Sequence, residues 1–211
     1  MINKKEFVDF LIESNALKFG DFITKSGRHS PYFINIGMFQ TGEQMKRLGK
    51  YYADNIISLM EQGFLHKDLK VLFGPAYKGI PLVTATSIAL ADRGIDLKYC
   101  FNRKEVKDHG EGGNMVGYDP QPGDKVLIIE DVITAGTAVR EVLPLLTERD
   151  VEVCGLMVSV DRMEKGRDET VKTWPIITLE DILKELQNDI PVEIKRQIED
   201  YMSKYCVYQL E

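Results

Sequence analysis

Cysteine is scarce in this chain of 211 residues. Its three cysteines, Cys100, Cys154 and Cys206, are far apart, odd in number and outside any CxxC spacing. Disulfide frameworks use an even number of cysteines, and zinc sites use closely spaced pairs. Neither is therefore expected, and the cysteines are predicted to be buried, reduced thiols.

Long apolar runs are also missing. No stretch approaches the ~20 consecutive apolar residues of a membrane-spanning helix. Near the N-terminus, Glu6, Asp9 and Glu13 interrupt the apolar core that a signal peptide needs. These absences predict a cytoplasmic protein with no membrane partner.

Positive charge is outnumbered, with 27 Lys and Arg against 33 Asp and Glu, for a formal net charge of −6. This balance argues against a nucleic-acid partner, and no helix-turn-helix segment is recognisable. A P-loop of the form GxxxxGK[ST] is absent. Gly110, Gly112 and Gly113 follow a polar basic run, so they do not form a dinucleotide fingerprint either. An acidic chain can still hold a local cationic pocket for a small anion.

From residue 70 onward, short apolar runs alternate with helical segments. The runs are KVLFG, LKYCFN, KVLIIED, VEVCGLMVSVD and a short WPIITL. Continuous apolar strands separated by helices indicate a parallel sheet covered on both faces, in which ligands bind beyond the C-terminal strand ends. The other predicted elements are helices at about 4–15, 41–62, 179–187 and 191–203, and a hairpin within 19–36.

The segment VLIIEDVITAGTA at 126–138 is the most informative part of the chain. Glu130 and Asp131 follow an apolar strand, where carboxylates can accept hydrogen bonds from vicinal ribose hydroxyls. The small residues after them let backbone N–H groups close around a phosphate, and a helix starting there adds its positive dipole end. The alternative is an ordinary strand–turn–helix in which Asp131 is a capping residue.

A polar, glycine-rich stretch at 103–124 separates the second and third strands. It is predicted to be a long loop without regular structure, and such loops are often functional lids. Arg103, Lys104, Lys107 and His109 could neutralise the charge of departing pyrophosphate in a closed, dry site. The alternative is a solvated charged loop, because neighbouring acids offset much of the positive charge.

Three further positions suit an anionic ligand. Lys78 lies in the shaped loop GPAYKGIP between a strand and a helix, and is predicted to bind pyrophosphate. Arg162 ends the fourth strand, where it could bind a carboxylate through two parallel hydrogen bonds or form a surface ion pair with Glu164. His29, in the hairpin segment TKSGRHSPYF, is interpreted as an ordinary polar residue of the hairpin tip.

Five segments together resemble the orotate phosphoribosyltransferases, members of the type I phosphoribosyltransferase family. They are TKSGRHSPYFIN, GPAYKGIP, FNRKEVKDHGEGG, LIIEDVITAGTA and VDR, in the family's order between about residues 20 and 165. The resemblance implies the type I phosphoribosyltransferase fold, a mostly parallel central sheet flanked by helices. It implies one domain over 1–211, with 68–165 as the core that binds phosphoribosyl pyrophosphate (PRPP). Residues 1–40 and the C-terminal helices would supply a small hood and the flanks.

The resemblance also implies a reaction: transfer of ribose 5-phosphate from PRPP to N1 of orotate, with Mg²⁺, giving orotidine 5′-monophosphate and pyrophosphate in UMP synthesis. Lys104, Lys107, His109 and Asp131 would be catalytic, with His109 a proton donor. PRPP would contact Lys25, Tyr77, Lys78, Arg103, Lys104, Lys107, His109, Glu130, Asp131, Val132, Ile133, Thr134, Ala135, Gly136, Thr137 and Ala138. Orotate would contact Phe33, Ile34, Thr134 and Arg162.

In that family, active sites are shared across a homodimer, and Mg²⁺ is expected to arrive on PRPP oxygens and water without direct protein ligands. One departure is visible, because many members carry Asp-Asp where this chain has Glu130 and Asp131. Two alternatives remain. A purine phosphoribosyltransferase should lack Arg162 and the KSGR hairpin, and a PRPP-sensing regulator should have lost residues of the lid.

Overall fold

The computed structural model of the protein describes residues 2–24, 27–107, 113–134, 136–166 and 170–207. Its centre is a six-stranded sheet in the order β5-β4-β3-β6-β7-β8. Neighbouring strands are parallel except β5, which runs antiparallel to β4. The strands are β3 (Val71–Gly74), β4 (Lys98–Lys107), β5 (Gly113–Gly117), β6 (Lys125–Ile133), β7 (Glu152–Asp161) and β8 (Thr173–Thr178). The predicted mostly parallel sheet is confirmed.

The helices follow the predicted order, and α1 and α2 begin at side-chain caps. They are α1 (Lys4–Glu13), α2 (Gly42–Glu61), α3 (Gly79–Ala91), α4 (Thr137–Thr147), α5 (Leu179–Glu185) and α6 (Val192–Tyr205), with a short 3₁₀ turn at Ile36–Met38. At α1, the Asn3 side chain accepts a hydrogen bond from the Glu6 backbone N–H. At α2, Thr41 and Gln44 form a reciprocal capping box, which satisfies two backbone donors at the helix start.

Strand β6 shows how the sheet is covered on both faces. Its residues Val126 through Asp131 are all buried. Leu127 and Ile129 join the large core cluster that contains residues of α2 and α3, whereas Val126 and Ile128 join the cluster under α4. Successive side chains of a strand point to opposite faces, so a strand buried on both sides has no polar alternation. This explains why its sequence is a continuous apolar run.

The N-terminal hairpin lies outside the main sheet. It consists of β1 (Leu17–Ile23) and β2 (His29–Ile34), which pair antiparallel. The hairpin is held against α6 by a T-shaped contact between the buried rings of Tyr32 and Tyr201, whose centroids are 5.6 Å apart. Because Arg162 directly after β7 donates to Tyr32, the hairpin reaches the C-terminal end of that strand.

The prediction of an unstructured stretch at 103–124 was wrong for most of its described part. Strand β4 continues through Lys107, and the chain returns as β5, with Phe101 opposite Val116 and Asn102 opposite Met115. Backbone pairing in an antiparallel ladder requires no apolar side chains, and an edge strand favours polar ones. Because the segment is polar and rich in glycine, its sequence did not indicate this two-stranded arm, which β4 and β5 form.

The described residues bear on two features considered in the sequence, the state of the cysteines and the presence of membrane-spanning helices. Cys100 and Cys206 are buried, Cys154 is half-buried, and all three are free thiols. Within the described ranges, no helix has the length and apolar character needed to cross a membrane.

Candidate active site

The C-terminal ends of β3 and β6 bring two distant segments of sequence into contact. The Lys78 ammonium, in the loop after β3, lies 2.7 Å from Asp131 Oδ2 near the end of β6. Arg162 follows β7, and its backbone N–H donates to the carbonyl of Ile133 in β6. Parallel strands place these ends at one edge of the sheet, which is where the sequence predicted the ligand to bind.

Glu130 and Asp131 form a buried acidic pair. Each is 8% exposed. Glu130 Oε1 accepts a hydrogen bond of 2.9 Å from the Asp131 backbone N–H, and Asp131 Oδ1 accepts one of 2.7 Å from the Val132 N–H. Burial, and then the charge of Asp131, raise the pKa of Glu130 from its ordinary 4.5 to about 8. A ligand that brings hydrogen-bond donors or positive charge would therefore be favoured beside this acidic pair.

The backbone beneath this pair is held by buried hydroxyls from two other elements. The Tyr52 hydroxyl of α2 donates to the Glu130 carbonyl at 2.7 Å. The Ser159 hydroxyl of β7 donates to the Asp131 carbonyl at 2.5 Å. Since both residues are fully buried, these contacts hold the end of β6 rigidly relative to α2 and β7.

The turn after the acidic pair is shaped to surround a small anion. Together with Glu130 and Asp131, the turn lines a pocket of about 110 Å³ whose other residues include Val132, Ile133, Thr134, Gly136, Thr137 and Ala138. Gly136 has φ 73°, a left-handed conformation that glycine adopts without strain. Among the described residues, no side chain caps α4. Its first backbone N–H groups and positive dipole end therefore remain available to an anion.

The loop from Ala76 to Lys78 is anchored to β4. The Ala76 N–H donates to Asn102 Oδ1 at 2.8 Å. The Tyr77 ring is 66% exposed, and the Lys104 ammonium lies 5.1 Å from its centroid. This contact places a cation of the arm beside the loop that carries Lys78.

Phe33 and Ile34 point in opposite directions. Phe33 is exposed and stacks on Phe22, with ring centroids 5.4 Å apart. Ile34 belongs to the hydrophobic core. Adjacent residues of a strand face opposite sides, so only Phe33 can offer its side chain to a ligand on the open face.

Arg162 is largely buried and already has several partners. Its Nη2 lies 3.0 Å from Glu164 Oε1, and its side chain is 12% exposed. Its Nε donates to the Tyr32 hydroxyl at 3.2 Å, and its Nη2 donates to the Tyr201 hydroxyl at 3.4 Å. The ion pair with Glu164, one of the two alternatives that the sequence left open for Arg162, is present, but it is buried and does not lie on the surface.

The sequence profile of the phosphoribosyl transferase domain matches residues 41–189. An orotate phosphoribosyltransferase of Clostridium beijerinckii is 48% identical over 96% of this chain and 97% of its own length. One from Bifidobacterium adolescentis is 58% identical over 77% of this chain and 71% of its own. The chain belongs to the orotate phosphoribosyltransferase family. The crystal structure of the Francisella tularensis orotate phosphoribosyltransferase superimposes with a TM-score of 0.79, at 37% identity and 95% coverage of both chains.

Some residues expected to act in an orotate phosphoribosyltransferase lie beyond what the structure describes. Lys25, His109 and Ala135 are outside the described residues. Lys107 ends β4, and only its backbone is described. Arg103 precedes Lys104 on the same arm strand.

Sequence reasoning passed over several supporting residues of this site. Asn102, Ser159 and Tyr52 each hold the backbone of a predicted ligand-binding segment. Polar residues inside apolar segments, such as Ser159 within the buried β7, are a usable signal because buried polar groups need partners. No comparable local signal marks Asn102.

Proposed function

We propose that this chain transfers the 5-phosphoribosyl group of PRPP to N1 of orotate, releasing pyrophosphate and forming orotidine 5′-monophosphate for UMP synthesis. The observation that carries this proposal is the single pocket formed by the buried acids Glu130 and Asp131 and the uncapped start of α4. One end suits a polyhydroxyl group and the other suits a phosphate. Membership of the orotate phosphoribosyltransferase family supplies the identity of the acceptor.

The ribose 5-phosphate half of PRPP would occupy this pocket. Glu130 and Asp131 would accept hydrogen bonds from the ribose hydroxyls, and the turn from Thr134 to Ala138 would surround the 5′-phosphate with N–H groups. Glu130 is one methylene longer than the aspartate that many relatives carry. In this structure its carboxyl already accepts a hydrogen bond from the Asp131 N–H, so ribose binding would compete with that hydrogen bond.

Lys78 would change partners when PRPP binds. Its side chain is 57% exposed, whereas that of Asp131 is 11% exposed, so the pair can break without a large cost only if the ligand supplies new hydrogen bonds to the buried carboxylate. The ammonium would then move to the pyrophosphate, and Asp131 would be released to the ribose. Lys78 would thus remain paired with an anion, while Asp131 would exchange its ion pair for hydrogen bonds from the ribose hydroxyls.

The cations of the arm would stabilise the leaving group. Arg103 and Lys104 would join Lys107 and His109 around the pyrophosphate, with Tyr77 beside them, and His109 would donate a proton. Preformed positive charge acts most strongly where charge develops in the transition state and water is excluded. Mg²⁺ bound to PRPP would supply further neutralisation of that charge. The oxygens of Glu130 and Asp131 could accept hydrogen bonds from the water ligands of such an ion, because Mg²⁺ usually keeps several of its waters.

Orotate would contact Phe33, Thr134 and Arg162. The exposed face of the Phe33 ring suits the planar pyrimidine, and a stacked arrangement suits the two rings. Ile34 would contribute through its backbone because its side chain is in the core. Arg162 would pair with the orotate carboxylate.

The protein would work as a homodimer in which the arm of one subunit covers the PRPP of its partner. Lys104 is exposed on an arm that extends the edge of the sheet. An arm in that position can contribute its cations to a neighbouring subunit.

The direct test is pyrophosphate release from PRPP and Mg²⁺ with orotate, adenine, guanine or xanthine as acceptor. Among these acceptors, we expect turnover only with orotate. The Asp131→Asn variant should lose most of this activity, because the ribose hydroxyls would lose a charged hydrogen-bond acceptor. Turnover with a purine but none with orotate would overturn the proposal. Specific retention of nucleic acid in a filter-binding assay, without turnover of any base, would indicate a regulator.

A further inference from the structure

We propose that Glu164 is a positioning residue for orotate recognition: it orients the Arg162 guanidinium and fastens it to the hairpin that carries Phe33. The inference rests on the proposed role of Arg162 in binding the orotate carboxylate. It concerns a residue outside the five segments by which the chain resembles its family.

Glu164 lies between two arginines from distant parts of the chain. Its side chain is 7% exposed. Oε2 lies 2.5 Å from Arg28 Nη2, and Oε1 lies 3.0 Å from Arg162 Nη2. The Tyr201 hydroxyl of α6 also donates to Oε1, at 3.2 Å. One buried carboxylate thus joins the hairpin, the end of β7 and α6.

The backbone after β7 is shaped to return Glu164 to this position. The Asp161 carboxylate accepts a hydrogen bond of 2.7 Å from the Met163 N–H, and Met163 has φ 56°. Glu164 then forms an isolated antiparallel bridge with Cys206 beyond α6. A left-handed backbone conformation is uncommon for residues other than glycine. The surrounding contacts therefore stabilise Met163 in a conformation that it would rarely adopt by itself.

These contacts determine which edge of Arg162 faces a ligand. Nε is engaged by Tyr32, and Nη2 is engaged by Glu164 and Tyr201. The guanidinium also lies over the Tyr32 ring, 4.9 Å from its centroid. Nη1 is the one nitrogen of this group without a partner among the described residues, and it carries two N–H donors. Glu164 therefore directs Nη1 to the orotate carboxylate.

The same carboxylate also connects Arg162 to the hairpin. Arg28 directly precedes β2, on which Phe33 lies, and its guanidinium is 5.0 Å from the centroid of the Tyr205 ring. Arg162 would bind the orotate carboxylate, and Phe33 would contact its ring. Losing the Glu164 charge would release the Arg162 guanidinium, so its effect should appear in orotate binding and much less in PRPP binding.

The test is a double-mutant cycle with Glu164→Gln and Arg162→Met. For each variant, kcat, KM for orotate, KM for PRPP and the midpoint of thermal unfolding would be measured. A matched control is Glu193→Gln, which removes the carboxylate from an exposed ion pair with Arg196 on α6. We expect Glu164→Gln to raise KM for orotate about tenfold or more, since hydrogen bonds to charged groups are strong. KM for PRPP should change less than about twofold, and the double variant should resemble Arg162→Met because the two residues act as one unit.

The outcomes separate this inference from the role assigned to Arg162. If Arg162→Met leaves KM for orotate unchanged, the proposed role of Arg162 fails and this inference fails with it. If Arg162→Met raises that KM but Glu164→Gln does not, or if the two effects multiply, only the positioning role is overturned. A lower thermal midpoint with equal changes in both KM values would show Glu164 to be a fold anchor only.

Glu164→Asp provides a second variant if the glutamine substitution prevents folding. It keeps the charge but withdraws it by one methylene from both arginines. We expect a selective rise in KM for orotate, smaller than that of Arg162→Met. A KM for orotate equal to that of the unaltered protein would overturn the proposal.

Discussion

Replacing Glu130 by glutamine should make the stability of the ligand-free protein less dependent on pH. Burial and the charge of Asp131 raise the pKa of Glu130 to about 8 in the folded protein. In the unfolded chain the ordinary value of 4.5 applies. A carboxyl with a raised folded-state pKa binds its proton more tightly when folded. Its contribution to stability is therefore complete below pH 4.5 and is lost as the pH rises through about 8.

The size of the effect follows from these two values. The interval between 4.5 and about 8, at about 1.4 kcal/mol for each pH unit, sets an upper bound of about 5 kcal/mol. Asp131 shares the titration with Glu130, so part of this energy belongs to the pair. We expect about 2 to 4 kcal/mol of stabilisation by Glu130→Gln at pH 9, and little difference between the two proteins near pH 5. The glutamine amide oxygen can still accept the hydrogen bond from the Asp131 N–H.

The assay is urea unfolding at pH 5.5, 7, 8 and 9, followed by far-ultraviolet circular dichroism at fixed protein concentration. With an m value of about 2 kcal/mol per molar urea, the midpoint of the variant at pH 9 should exceed that of the unaltered protein by about 1 to 2 M. Glu141→Gln, which removes an exposed carboxylate of α4, is the matched control and should show no such trend. A midpoint difference for Glu130→Gln that stays constant across this pH range would refute the reasoning.

Four further predictions concern the lid, the dimer, the cleft and the core. Lys107→Ala should lower kcat far more than it weakens PRPP binding, because the lid would act in the transition state, as steady-state kinetics would show. Lys107→Ala mixed with Asp131→Asn should recover about a quarter of normal activity after subunit exchange, because about half the dimers would be mixed, each with one intact shared site. Lys78→Met should raise KM for PRPP and change the free energy of unfolding by less than about 1 kcal/mol, because the lysine side chain itself is 57% exposed. Gly49→Ala should cost roughly 1 to 3 kcal/mol in urea unfolding, because a Cβ there would lie 2.5 Å from the carbonyl oxygen of Ala85.

Each of these expectations has a contrary result. An intact kcat with weakened PRPP binding would assign Lys107 to the ground state. No recovery of activity after verified subunit exchange would argue against sites built across an interface. A large loss of stability in Lys78→Met would show that its ion pair supports the fold. An unchanged free energy of unfolding in Gly49→Ala would mean that α2 and α3 can move apart to fit the added methyl group without losing stability.

The local pattern of the chain was enough to predict its architecture. The apolar runs of β3, β6 and β7 required burial on both faces, and helical segments between them left a parallel sheet as the consistent solution. The edge at which Lys78 meets Asp131 follows from that topology alone. The opposite directions of the Phe33 and Ile34 side chains could also have been predicted from the sequence, because adjacent strand residues face opposite sides.

Other features depended on contacts that sequence order does not reveal. The two-stranded arm forms because β4 offers a free edge with which β5 can pair, whatever its side chains. Glu164 meets Arg28 across 136 positions of the sequence, so neither residue carries a local sign of the other. The burial of Arg162 likewise depends on the hairpin and α6 closing over the end of β7.

The sequence by itself determined the sheet, the order of its elements and the chemical character of each ligand-binding segment, because periodicity and residue type are local properties. Only the tertiary structure decided how the charged groups are paired. It pairs Lys78 with Asp131 and the Glu164 carboxylate with two arginines, and it leaves Nη1 of Arg162 without a partner among the described residues. Charges in a folded protein interact according to distance and burial, and both are set by packing between segments that are remote in the chain.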